Sequence, residues 1–382
     1  DNASPSFFNW TGSLAGGDSV RVRLSTTQNY TLGYHTIRAS VEDSLTSSGN
    51  RYRDHEPYND TVFTPFAACA GPYSGTLTIG SGANKDFISL ERCLYSLSRC
   101  GISAPVTVKL PAGTYDATTI PFIPGTSATT YVLFEPATAT AQVTFRRPST
   151  SLARVATLVD MTQARSIRFN NIRFSNGRNV MGSAQALVRM GRPSSNCRFT
   201  NCTFVDSTLV QAAQAETLIT TGFADSVLIE RCTFYGGTTG IDVVGTAPDN
   251  RATDNIVRFN ELANQVNTSI SVTNQNHVLV DSNMLNNVQT NASFMLLCQY
   301  VYDNSRIVRN RIYSTTGASC LGVSDMHGTP QSFSYVANNM LLSLDEGNTN
   351  QLTTPLNIIK GSYLKVCFNS VRLRTNTHVN VA

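Results

Sequence analysis

This 382-residue chain is poor in charge. Asp, Glu, Lys and Arg make up 14% of it, against the roughly 25% of an ordinary globular domain. The formal net charge is only +4, and no run of Lys or Arg forms a stripe that would track phosphates, which argues against nucleic acid as a partner. No apolar stretch approaches the roughly 18 residues of a membrane span, so no membrane span is expected. The chain opens on Asp1 and begins no signal peptide, so any export signal is expected upstream. Nine cysteines include no Cys-x-x-Cys pair, and the five histidines do not sit at metal-ligand spacing beside them. No metal site and no cofactor is therefore expected. The odd cysteine count leaves at least one thiol unpaired within the chain. Asn, Ser and Thr take the place of charge, so neutral polar groups carry solubility. At this length two units, or one elongated repeat unit, are expected.

Residues 1–66 read as strands: Val20, Val22 and Leu24 alternate with Arg21 and Arg23, and Ile37, Ala39 and Val41 with Arg38 and Ser40. With Trp10-Thr11-Gly12 opening one strand and Tyr58-Asn59-Asp60 preceding the last, the stretch resembles the later half of a bacterial immunoglobulin-like surface module. About four strands fit, against the roughly seven such a sandwich needs. The expectation is a partial module, belonging to something longer. Cys69, Gly71, Pro72 and Gly75 mark a linker over 67–75. One helix comes next, about 86–100: Asp86 is placed to cap it, Phe87, Leu90, Leu94 and Leu97 form an apolar stripe, and Gly101 stops it. A single helix ahead of a strand-rich region suits a lid over the open end of a solenoid. Cys69 and Cys100 flank that lid, so a disulfide between them is expected, with Cys93 on the helix as the rival partner.

From about Val106 the chain becomes short β-branched and aromatic runs between Asn, Gly, Ser and Thr. Phe174, Phe204, Phe234, Leu262, Leu285, Ile312, Leu341 and Val371 recur at intervals of 30, 30, 28, 23, 27, 29 and 30 residues, the signature of a solenoid. Two places before each anchor stand Ile172, Cys202, Cys232, Asn260, Asn283, Asn310, Asn339 and Asn369. In a parallel coil equivalent residues lie roughly 4.8 Å apart. A stacked file of Asn amides satisfies itself in an interior where a lone amide does not. The alternative is that Asn only marks turns, but a fixed offset from an apolar anchor favours the ladder. Cys202 and Cys232 continue the file as two small buried groups, expected to remain thiols. The fold expected is all-β, a right-handed parallel β-helix over 76–382 with an N-terminal capping helix and the partial immunoglobulin-like β-sandwich module before it.

Thr76-Leu77-Thr78-Ile79-Gly80, Asp86-Phe87, Gly101-Ile102, Pro105-Val106-Thr107-Val108 and Gly113-Thr114-Tyr115 resemble the entry segment of β-helix domains in large surface proteins exported by the type IX secretion system. Turns such as Asn201-Cys202-Thr203-Phe204 resemble the repeats of pectate-lyase-like proteins. The resemblance implies a secreted, cell-surface location. It also implies other domains of a longer polypeptide, filament or homo-oligomer neighbours, and glycans as partners.

Many β-helix proteins cut polyuronates. A hydrolase needs paired carboxylates on one groove, and a lyase a base beside a cation such as calcium. The best constellation is Asp325-Met326-His327-Gly328 with Asp303 about one turn earlier. His327 has Met before it, so the Gly-His-Gly motif of polygalacturonases is not matched, and most acids along the repeat are solitary. Lys360 echoes a lysine of some lyases but reads as a solvated strand-end residue. The sequence therefore favours a structural or adhesive rod. A polysaccharide lyase or glycoside hydrolase, with calcium as its possible cofactor, is the alternative.

Overall fold

The computed structural model describes residues 20–21, 30–40, 61–146, 157–176, 186–206, 217–247, 249–287, 294–315, 319–345 and 354–375. The chain divides into two units, Asp1–Gly71 and Pro72–Ala382. In the first unit β1 (Gly33–Ser40) and β2 (Thr61–Ala68) pair antiparallel, Gly33 opposite Ala68 and Ser40 opposite Thr61. Phe66 gathers the ring of Tyr30 edge-on at 4.6 Å and that of His35 face-on at 5.1 Å. Ile37, Val62 and Phe63 are exposed. Trp10 and Tyr58-Asn59-Asp60 lie outside the described residues.

In the second unit β3 (Tyr73–Thr78) leads to α1 (Leu90–Cys100) and then β4 (Ile102–Leu110). The expected linker is therefore narrower than 67–75, because β2 runs to Ala68 and β3 begins at Tyr73. The helix is also shorter than expected. Ser89, not Asp86, is its N-cap: its hydroxyl accepts from the Arg92 N–H at 3.4 Å. Asp86 instead accepts from the N–H and the hydroxyl of Thr78 at 2.7 and 2.8 Å, fixing the end of β3. Leu90, Cys93, Leu94 and Leu97 are buried and join the core with Leu77, Ile79 and Phe87. Gly101 ends the helix at φ 71°, and a Cβ there would meet the Pro124 carbonyl oxygen at 2.9 Å, so both conformation and space require glycine.

Beyond the helix the second unit is a right-handed parallel β-helix. Three sheets form its faces among the described residues: a first sheet of 11 strands from β3 to Leu364–Cys367, a second of 10 from Gly113–Tyr115 to Ser370–Thr375, and a third of 10 from Thr118–Thr119 to Leu356–Ser362. All neighbours on these paths pair in parallel, each strand with its equivalent one turn away. The second sheet places Phe174 beside Phe204, Phe234, Leu262, Leu285, Ile312, Leu341 and Val371 in that order. It also extends the row backwards through Phe145 to Tyr115. Parallel register turns these residues into axial stacks. Phe145, Phe174, Phe204 and Phe234 stack at 5.6, 4.9 and 4.6 Å, and Phe134, Phe169 and Phe199 at 5.2 and 5.5 Å.

Between the first and second sheets the chain bends at Asn171, Asn201, Arg231, Phe259, Ser282, Arg309, Asn338 and Phe368, all at φ between 53° and 59°. A left-handed conformation is costly for a residue with a Cβ. From Asn201 to Asn338, hydrogen bonds at the next residue in the chain hold the bend in place. The Asn283 side-chain oxygen accepts from the Asn260 N–H and Nδ2 at 3.1 and 3.0 Å, while its own Nδ2 donates to Val257 O at 2.9 Å. Asn310 repeats this toward Asn283, Asn339 toward Asn310, and Asn369 toward Asn339, all within 3.1 Å. Asn260 accepts from the Cys232 N–H at 2.9 Å, and the Cys232 sulfur from the Cys202 N–H at 3.4 Å. Each turn thus caps the bend of the turn before it. Cys69 and Cys100 are the disulfide-bonded cysteines, and the other seven, Cys93 included, are free thiols.

Candidate functional site

Asp325 and His327 lie near the end of the third-sheet strand Ser319–His327. That strand does not alternate to its end. Asp325 takes φ 53°, as Asn274, Tyr300 and Lys360 take 54°, 54° and 62° in the equivalent places of neighbouring turns. The added left-handed residue puts both Ser324 and Asp325 on the outer side between buried Val323 and Met326. It also aligns Asp325 with Lys360 and His327 with Ser362 and Tyr302.

The Lys360 ammonium meets Asp325 Oδ1 at 2.7 Å, and His327 Nε2 lies 3.9 Å from the same oxygen. The Ser324 hydroxyl donates to Asp325 Oδ2 at 3.2 Å, and His327 Nδ1 bonds the Ser362 hydroxyl at 2.8 Å. His327 stacks on Tyr302 with 5.0 Å between centroids, and the Arg251 guanidinium covers Tyr302 at 3.5 Å. The bond from Lys360, which outweighs the opposing effect of desolvation, holds the Asp325 carboxyl below its usual range, and Asp325 in turn raises Lys360. Asp325 is therefore ionised at neutral pH: a partner for a cation, not a proton donor.

The structure brings Asp325 and His327 together, but Asp303 serves differently. It lies in the turn beyond Tyr302, at φ 49°, and its N–H donates to the His327 carbonyl at 2.8 Å. Among the described residues its carboxylate is not a partner of Asp325, His327 or Lys360. Lys360, Tyr302 and Arg251 belong to the cluster, and the sequence repeat does not single them out together. The intervals that reveal the coil belong to the second sheet. In the third sheet Tyr302 pairs with His327 and His327 with Ser362, steps of unequal length that conceal the register.

A second outer row of the third sheet runs Asp160, Arg189, Thr220, Asp242, Ser271. Asp160 is paired with Arg189 at 2.7 Å. Among the described residues Asp242 has no cation partner: burial raises its pKa against the hydrogen bonds from Ser271 and Thr220, the latter at 3.2 Å. On the first sheet Arg258 meets Glu230 at 2.8 Å, and Arg309 grips both oxygens of Asp281. Among the described residues no group of three His, Cys, Asp or Glu is placed to hold a metal ion, and no helix is long and apolar enough to cross a membrane.

No family model and no curated protein matches the chain. Solved structures similar to it include a GH136 lacto-N-biosidase from Eubacterium ramulus, at 10% identity over 78% of this chain and 68% of that one, with a TM-score of 0.44. The pectin methyl esterase of rice weevil is similar at 11% identity over 84% of this chain and 96% of its own, with a TM-score of 0.43. A surface protein and adhesin of Streptococcus pneumoniae is similar at 9% identity over 70% and 89%, with a TM-score of 0.31. Values of this size assign neither ligand nor chemistry.

Proposed function

We propose that this chain is a structural or adhesive rod segment of a large secreted cell-surface protein, bearing glycan or neighbour contacts on its sides. The observation that carries the reading is the state of the best candidate acid. Asp325 is ionised and occupied by Lys360, whereas cleavage of a sugar chain needs an acid and a base or nucleophile converging on one bond. A rod needs only that each turn be held to the next, and the bonds from Cys202 to Asn369 do that without a break. Export through the type IX route and the immunoglobulin-like nature of residues 1–66 belong to this reading and rest on the sequence resemblance. Further domains of the same polypeptide and filament neighbours are its partners.

A polysaccharide lyase or hydrolase is the second reading. It is favoured by the meeting of Asp325, His327 and Lys360 beside Tyr302, with Tyr300 acting electrostatically on Lys360, and with calcium as the cofactor it would use. Incubation with pectins, alginates and neutral glycans, with and without calcium, separates the two. The rod reading expects no new reducing ends and no unsaturated products; turnover lost in Asp325→Asn or His327→Gln overturns it.

A further inference from the structure

We infer that the outer face of the second sheet, near its N-terminal end, is a binding site for an acidic sugar chain. The face carries an open cleft of about 740 Å³, within the range of ligand sites. Such sites are mostly apolar, whereas this one is lined by hydroxyls, amides and two guanidiniums, a surface that suits a ligand made of hydroxyls and anions.

Parallel register builds the cleft. Thr114, Thr144, Arg173 and Thr203 form one outward row across four turns, above the inward row of half-buried Tyr115 and buried Phe145, Phe174 and Phe204. Arg146 lies beside Ser175, so it stands one turn before Arg173 and two residues further along. Strand geometry sets the two arginines ~4.8 Å apart across the sheet and ~6.6 Å along it. Both are exposed, and among the described residues neither has an acidic partner. Arg189, Arg258 and Arg309, by contrast, are each paired with a carboxylate. A planar guanidinium fork matches a carboxylate or sulfate with two parallel bonds.

A further feature is Asn176, which lines the cleft. It is 3% exposed, and among the described residues its Oδ1 has no hydrogen-bond partner. Buried amide oxygens are nearly always paired, and a turn of this amide toward the cleft would offer the oxygen to a sugar hydroxyl. The threonine hydroxyls both donate and accept, which suits a row of ring hydroxyls running along the axis. The site lies on a different sheet from the Asp325 cluster; it rests on the rod reading's glycan contacts and names where one of them lies and what chemistry it takes.

The test is calorimetric titration of the whole chain with a hyaluronan hexasaccharide, which carries carboxylates, a chondroitin sulfate hexasaccharide, which adds sulfates, and neutral maltohexaose. Binding of either acidic probe is expected, weakening with salt, with maltohexaose at least tenfold weaker. Arg146→Ala/Arg173→Ala should lose at least tenfold in affinity, and Arg173→Lys, which keeps the charge and loses the fork, should fall between. Both arginines are exposed, so circular dichroism and the melting midpoint should be unchanged. The inference is overturned if neither acidic probe binds, if maltohexaose binds as well, or if the double variant binds like the parent. Failure here would leave the turnover assay of the rod reading untouched.

Discussion

Replacing Asn310 by Leu removes the middle of the axial file, and the structure says which groups are then left unpaired. The Asn310 oxygen accepts from the Asn283 N–H at 3.1 Å and from Asn283 Nδ2 at 3.0 Å. Nδ2 of Asn283 keeps a second acceptor, Val257 O. Asn339 Oδ1 loses the Asn310 amide but keeps the Asn310 N–H. Val308 O loses Nδ2 of Asn310 but still receives the Ser282 N–H. The buried N–H of Asn283 has no such reserve, and Val280 O also loses the Asn310 amide; leaving the Asn283 N–H unsatisfied costs about 1–3 kcal/mol. Urea unfolding should show that loss as a lowered midpoint with an unchanged slope. Hydrogen exchange should speed up first at the Asn283 amide and at the Ser282 bend before it. A variant within about 0.5 kcal/mol of the parent, the range of an inconsequential surface change, with Asn283 still protected, would refute the claim that the file holds the bends.

Other perturbations reach different parts of the account. Phe204 is fully buried between Phe174 and Phe234 at 4.9 and 4.6 Å, so Phe204→Ala should cost about 3–5 kcal/mol in the same unfolding assay. Burial alone would raise Asp281, but its bonds from Arg309 and Ser282 prevail and hold it low. Its stabilising contribution is therefore present above the unfolded value of about 3.9 and lost as pH falls through the folded one; Asp281→Asn should flatten the acid side of the stability curve. Asp242 has the opposite sign, raised by burial. Asp242→Asn should stabilise the protein at neutral pH, with the difference vanishing below about pH 3.9. Burial pushes the Cys197 thiol up to about 11 and that of Cys320 up to about 12, and also raises Cys232 beside Cys202. The native protein at neutral pH should therefore resist alkylation at these sites, and peptide mapping should find Cys69 and Cys100 in the disulfide.

What is legible in the sequence is what repeats at the scale of one turn. Phe174 to Val371 align because each occupies the same inward position of the second sheet, and the file two residues earlier comes with them. Tyr115 and Phe145 continue the same row backwards at the same spacing, 30 and 29 residues, but Gly113 and Val143 two places before them carry no amide or thiol to mark it. The helix start is ambiguous in the sequence because Asp86 and Ser89 are both good caps. Only the fold reveals that Asp86 is needed by Thr78. The neighbourhood of Asp325 is half legible: His327 lies two residues away in the chain, whereas Lys360 and Tyr302 arrive from other turns through loops of unequal length. The cleft is not legible at all, since Thr144, Arg146, Arg173 and Asn176 are ordinary residues until register sets them on one face.

A rod is a mechanical claim, and it is tested most directly by pulling the second unit end to end in a single-molecule force experiment, with handles attached before Tyr73 and after Thr375. If each turn is held to the next by the same axial bonds and stacks, the chain should release turn by turn in a series of steps. Each step of 23 to 30 residues should lengthen the tether by roughly 80–100 Å. In the Asn310→Leu variant the series should begin at a lower force near that turn. Release of the whole coil in one low-force event, or a series indifferent to Asn310, would contradict the account.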